Sequence, residues 1–85
     1  MFIQVNENLK INTSSIERAF IVPSEEGYHP YMGEVSLSEE GEFQLSKEYC
    51  NTVYYSPGEF VVVIDTDKCR YGLYGEFAKK AWELL

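Results

Sequence analysis

Apolar and polar positions alternate with a period of two along most of this chain, and the period changes to that of a helix only near its end. FIQVN at residues 2–6 alternates weakly and predicts a strand. NEN turns it, and LKI at 9–11 returns it. Asn12, Thr13 and Ser14 are all good helix-capping residues, while Ile16, Phe20, Ile21 and Val22 favour a strand. We read a brief turn and then a strand that ends at Pro23. EVSLS at 34–38 is a clearer strand, and Pro30 and Gly33 weaken its approach or put it on a sheet edge.

The tetrapeptide SEEG occurs at 24–27 and again at 38–41. Register explains the second copy. A three-residue loop of Glu39, Glu40 and Gly41 opposes Leu37 to Phe43 and Val35 to Leu45, so apolar meets apolar. This is the hairpin in which glycine takes the left-handed position after a type I turn. The first copy, treated alike, opposes Ile21 to Tyr31, Ala19 to Gly33 and Arg18 to Glu34. Sequence outside the two tetrapeptides does not repeat, so SEEG is turn chemistry used twice.

TVYYSPGEFVVVIDT predicts a third hairpin, with Pro57 and Gly58 at the centre of a type II turn and Tyr55 opposite Phe60. Both faces of these strands are apolar, which places them centrally with cover on each side. Phe77, Ala81 and Leu84 then recur at helical spacing and predict a helix over 73–84. The expected architecture is a single α+β domain over 1–85. It consists of a curled antiparallel sheet of five or six strands, or a half-barrel, with one C-terminal helix packed on it.

Charge changes the picture. The net charge is −7, from 14 acidic and 7 basic residues. Residues 24–48 carry seven of the acids against Lys47 alone. In that segment Glu34, Ser36, Ser38, Glu40, Glu42, Gln44, Ser46 and Glu48 share a parity, so one face of the hairpin is polar, acidic and free of basic residues. Tyr28, Tyr31 and Tyr49 stand at turns or strand ends around it, as does Tyr71; Tyr54, Tyr55 and Tyr74 are expected in the core.

Candidate chemistry is sparse. Asp65-Thr66-Asp67 opens like a calcium loop, but Arg70 stands where that loop needs glycine, so the stretch reads as a strand-to-helix turn. His29, Cys50 and Cys69 have no zinc-site spacing and no support as a nucleophile–base pair. Residues 71–75 lack phosphate-loop spacing. No cofactor, metal or catalytic set is expected. The N-terminus has no basic start followed by an apolar run, so a cytoplasmic location and two free thiols are expected. Strong negative charge disfavours direct binding to nucleic acid.

These features predict a non-enzymatic protein-binding domain that offers Glu34, Glu39, Glu40, Glu42 and Glu48, rimmed by Tyr28, Tyr31 and Tyr49, to a basic partner. Nucleic-acid-binding proteins, nucleases among them, are the commonest basic targets. The most concrete form is a nucleic-acid mimic from a phage or mobile element, analogous in size and charge to anti-CRISPR inhibitors. The alternative is a small structural subunit that forms a homo-oligomer by edge-strand or helix packing, with acidity serving only solubility.

Overall fold

Val61, Val62, Val63 and Ile64 are each 0% exposed, so the strand that carries them needs apolar cover on both faces. The computed structural model, which describes residues 1–45 and 49–85, supplies that cover from two directions. In chain order the strands are β1 (Phe2–Asn6), β2 (Leu9–Asn12), β3 (Ile16–Ile21), β4 (Gly27–His29), β5 (Gly33–Val35), β6 (Phe43–Leu45), β7 (Val53–Tyr55), β8 (Val61–Thr66) and β9 (Arg70–Tyr74). A short 3-10 turn, Thr13–Ser15, precedes β3, and helix α1 (Gly75–Leu84) follows β9.

Among the described residues β8 is the centre of an antiparallel sheet in the order β3-β8-β9, and the other strands form two-stranded hairpins. Val62 and Ile64 face Ile3, Val5 and Ile11 of the β1–β2 hairpin and Ala78 and Ala81 of the helix. Val61 and Val63 face Val35, Phe43, Leu45, Val53 and Tyr55, which come from β5, β6 and β7. The fold is thus α+β with several small antiparallel sheets, not one curled sheet of five or six strands.

The second SEEG and Pro57-Gly58 turns form where the sequence placed them, but the ladders expected across these two and across the first SEEG do not. At the second SEEG, Gly41 N–H donates to the Ser38 carbonyl at 3.0 Å and Gly41 has φ 78°, the left-handed geometry expected. Beyond that turn the strands part. β5 pairs back with β4, setting Val35 opposite Gly27, and β6 pairs forward with β7, setting Phe43 opposite Tyr55. Leu37 is left exposed. The Pro57-Gly58 turn also closes, with Glu59 N–H donating to the Ser56 carbonyl at 3.1 Å and Gly58 at φ 88°. Yet it joins β7 and β8, which lie in different sheets, so Tyr55 meets Phe43 and not Phe60. The first SEEG is a connector. β3 leaves it to pair with β8, with Arg18 opposite Asp65 instead of Glu34. The two-sided apolar β8 needs a neighbour on each edge, and β3 and β9 provide them.

Several local readings change with the ladders. The helix starts at Gly75, two residues later than predicted, because Leu73 and Tyr74 complete β9 opposite Val62 and Val61. Asp65 leads into a strand-to-strand turn, in which Thr66 Oγ1 accepts from the Lys68 and Cys69 amides at 3.3 and 3.1 Å. Tyr55 is buried as expected, but Tyr54 and Tyr74 are exposed. Cys50 and Cys69 form a disulfide, with Cα atoms 6.0 Å apart, in place of the two free thiols expected. The cause is local. Cys50 N–H donates to the Arg70 carbonyl at 2.7 Å, which holds the 49–52 segment against the start of β9.

Gly72 shows how closely these layers approach. A Cβ added there meets Leu45 Cδ1 at 2.7 Å, so any other residue would have to push the end of that buried side chain aside. The Asn51 side chain clamps the same residue: its Oδ1 accepts from Gly72 N–H at 3.0 Å and its Nδ2 donates to the Gly72 carbonyl at 2.7 Å. No helix among the described residues is long and apolar enough to cross a membrane.

Candidate protein-binding face

The acidic segment keeps its parity even though its ladder differs. Val35, Phe43 and Leu45 are buried, while Glu34, Ser36, Ser38, Glu40, Glu42 and Gln44 are exposed. Glu39 and Glu40 occupy the tip of the Gly41 turn, and Ser38 Oγ accepts from the Glu42 amide at 3.3 Å. Glu34 on β5 stands opposite Tyr28 on β4, so the two side chains share a face.

Two surface grooves meet at Glu34. One, of about 300 Å³, is lined by Glu34, Ser36, Ser38, Glu42 and Gln44 over a floor that includes Tyr55. The other, of about 650 Å³, is lined by Glu26, Tyr28, Glu34 and Ser36. Glu34 and Glu42 therefore come together, Glu26 joins from the connector, and Tyr28, 81% exposed, forms the aromatic rim. Among the described residues none of Glu25, Glu26, Glu34, Glu39, Glu40 and Glu42 is in an ion pair. Glu48 lies outside the described residues.

The other two rim tyrosines serve a different cluster. Tyr31 lies under the Arg18 guanidinium at 4.3 Å from the ring centroid, and its carbonyl accepts from Arg70 Nη1 at 3.1 Å. Tyr49 is partly buried, with Arg70 at 5.9 Å from its ring. Both arginines converge on Asp65, which is 8% exposed. Arg70 Nε donates to Oδ1 at 2.6 Å, and Arg18 Nε donates to Oδ2. Burial by itself raises the Asp65 pKa. The hydrogen bonds and charges of Arg70 and Arg18 outweigh it and hold the carboxyl below the usual carboxylate range. The Asp65 hydrogen bond, in turn, raises the Arg70 pKa above its ordinary value. Phe20 stacks on His29 at 5.2 Å and touches Tyr31 at 5.0 Å, so this cluster fastens the β4–β5 hairpin to the central sheet.

The cluster was missed from sequence, although a signal was present. Asp65 ends the run VVVI, and an acid inside a buried strand requires cations. Its consequence for the acidic face is direct. Arg18 and Arg70 are spent on a buried carboxylate and do not neutralise residues 25–42.

Tyr55 lies under the first groove. Its hydroxyl is buried with no hydrogen-bond partner among the described residues. Its pKa is pushed up to about 12, first by burial and then by the neighbouring Tyr49. Among the described residues, no three His, Cys, Asp or Glu side chains converge as a metal set.

No protein-family model matches this chain, and neither a curated protein nor a solved structure shows significant similarity to it.

Proposed function

We propose that this chain is a non-enzymatic binding protein that presents the acidic face around Glu34, Glu42, Glu39, Glu40 and Glu26, with Tyr28 at its rim, to a basic protein surface. One observation carries the reading. Glu26, Glu34 and Glu42 line two adjoining grooves, Glu39 and Glu40 are exposed at the turn beside them, and all are unpaired among the described residues, while Arg18 and Arg70 are held by Asp65. Short strands and tight turns fix the backbone under these side chains, so binding orders the side chains alone. Tyr28 adds a large amphipathic contact of the kind enriched in interfaces. The partner class this chemistry suits best is a nucleic-acid-binding protein, whose phosphate-binding groove the carboxylates would fill as a mimic. An inhibitor of that sort, analogous to anti-CRISPR proteins, is the most specific form of the proposal.

The test is capture followed by competition. Tagged protein is used to pull partners from cell extract at low and high salt, and the captured protein is challenged with DNA and RNA. A basic protein that salt releases and nucleic acid displaces supports the reading. The charge-reversed variant Glu34→Lys/Glu42→Lys, still folded, should lose capture. Equal capture by wild type and variant would overturn it.

A further inference from the structure

The two edges of the central sheet are finished differently. On β9 the outward backbone groups are occupied: the Arg70 carbonyl accepts from Cys50 N–H, and the Asn51 amide takes both groups of Gly72. On β3 they are open. Val22 N–H donates to the Val61 carbonyl at 3.0 Å, and the same register runs on through Ile21–Val62, Phe20–Val63 and Ala19–Ile64. In an antiparallel pair, residues that exchange hydrogen bonds alternate with residues that do not. Val22 and Phe20 therefore turn their backbone groups toward β8, and Ala19 and Ile21 turn theirs away from it. Among the described residues those outward groups meet no protein partner. The open stretch is short. A register shift between Ile16 and Arg18 ends it on one side, and Pro23, which has no N–H, ends it on the other.

Beside this edge runs a groove of about 510 Å³ lined by Ile16, Arg18, Ala19, Trp82 and Leu85. Its apolar side chains are not fully covered: Trp82 is 41% and Leu85 51% exposed, and Ile21, next on the strand, is 40% exposed. Its single charged lining residue, Arg18, is already paired with Asp65.

We propose that β3 is a self-association edge, where two copies pair their β3 strands antiparallel about a two-fold axis with Ala19 of each opposite Ile21 of the other. The chain itself carries both halves of this contact. The open groups lie on residues two positions apart, so a strand reversed against itself brings donor to acceptor at both. Opposed residues share a face. The second copy's Ile21 therefore arrives beside Ala19, at the mouth of the apolar groove. The lining favours the same occupant. The groove offers a basic partner no acidic side chain, whereas it offers the second copy's Ile21 the exposed apolar side chains of Trp82 and Leu85. Because the β9 edge is closed, the pairing stops at a dimer with a continuous six-stranded sheet and does not propagate. The proposal is independent of the acidic face, and gives it two copies on one particle.

The test uses the wild-type protein first. Sedimentation over a range of concentrations should show the mass rising to that of a dimer. Residue-resolved amide exchange should show Ala19 and Ile21 slowing by about tenfold or more as the dimer forms, with Phe20 protected throughout. Ile21→Pro removes an outward N–H that bonds to nothing within the monomer, and Ile21→Lys puts a charge at the groove; each should return the protein to monomer. If the proline variant does not fold, the lysine variant and the wild-type exchange pattern decide. A monomer at every concentration with fast-exchanging Ala19 and Ile21 amides overturns the proposal, and so does a dimer that Ile21→Lys leaves intact.

Discussion

An aspartate that ends a run of four buried apolar residues must bring its cations with it, and Asp65 brings two. Removing one partner of a buried ion pair typically costs about 3–5 kcal/mol, because the remaining charge stays desolvated. Asp65→Asn should therefore destabilise the fold by about 3 kcal/mol, toward the lower end because Arg18 is partly exposed. Urea denaturation measures it. The pH dependence follows from the direction of the shift. The folded carboxyl titrates below the ordinary value and the unfolded one at about 3.9. Its stabilisation is present above the unfolded value and is lost as pH falls through the folded one. Acid unfolding of the wild type should steepen below about pH 4, and Asp65→Asn should remove that contribution. Tyr55 has the opposite character. A buried hydroxyl with no partner among the described residues contributes a desolvation cost and no bond. Tyr55→Phe should be neutral or stabilising by up to about 1 kcal/mol in the same urea experiment. With the folded hydroxyl at about 12, above the unfolded value, wild-type stability should fall as pH rises from 10 to 12, and the variant should lack this contribution.

The Gly41 and Gly58 turns, the helix, the parity and the β1–β2 hairpin were legible in the sequence, whereas the partners of the later strands were not. The left-handed Gly41 and Gly58 turns depend on four consecutive residues, so local chemistry suffices to place them. The exposure of Glu34, Ser36 and Glu42 follows from alternation alone. Pairing joins strands distant in the chain, as when β3 lies on β8, and the assumption that hairpin neighbours pair failed at both SEEG turns and at Pro57-Gly58. VVVI announced a strand covered on both faces but not which strands flank it. The disulfide was illegible for the same reason. Cys50 meets Cys69 because the chain turns back between β8 and β9, from Thr66 to Cys69, and the Asn51 clamp holds its own loop on Gly72. Cross-links closing loops of this length stabilise by about 3 kcal/mol. Reduction, or Cys50→Ser with Cys69→Ser, should lower unfolding stability by that amount and speed amide exchange in residues 49–52 and 70–72. Unchanged melting with and without reductant would show that Asn51 alone holds the loop.

At the scale of the whole molecule, charge is divided between two tasks. Near β3 and β9 opposite charges are matched in the buried cluster and support the fold. Across residues 25–42 like charges are gathered on exposed turns and short strands, and none of them is paired among the described residues. Such residues do not stabilise a monomer. They repel one another, and the repulsion is screened by salt over about 10 Å at 0.1 M. Adding salt from a very low level should therefore raise the urea midpoint of the wild type. Neutralising Glu34, Glu39 and Glu42 together as glutamines should leave low-salt stability within about 0.5 kcal/mol of wild type or slightly above it, and should weaken the response to salt. The expectation for Asp65→Asn is the reverse: a large loss of stability with little change in the acidic face. If the triple variant instead lost stability like Asp65→Asn, the acids would be structural and the binding proposal would lose its footing. If it kept its stability and lost only its salt response and its capture of a basic partner, these carboxylates would be retained for what approaches from outside.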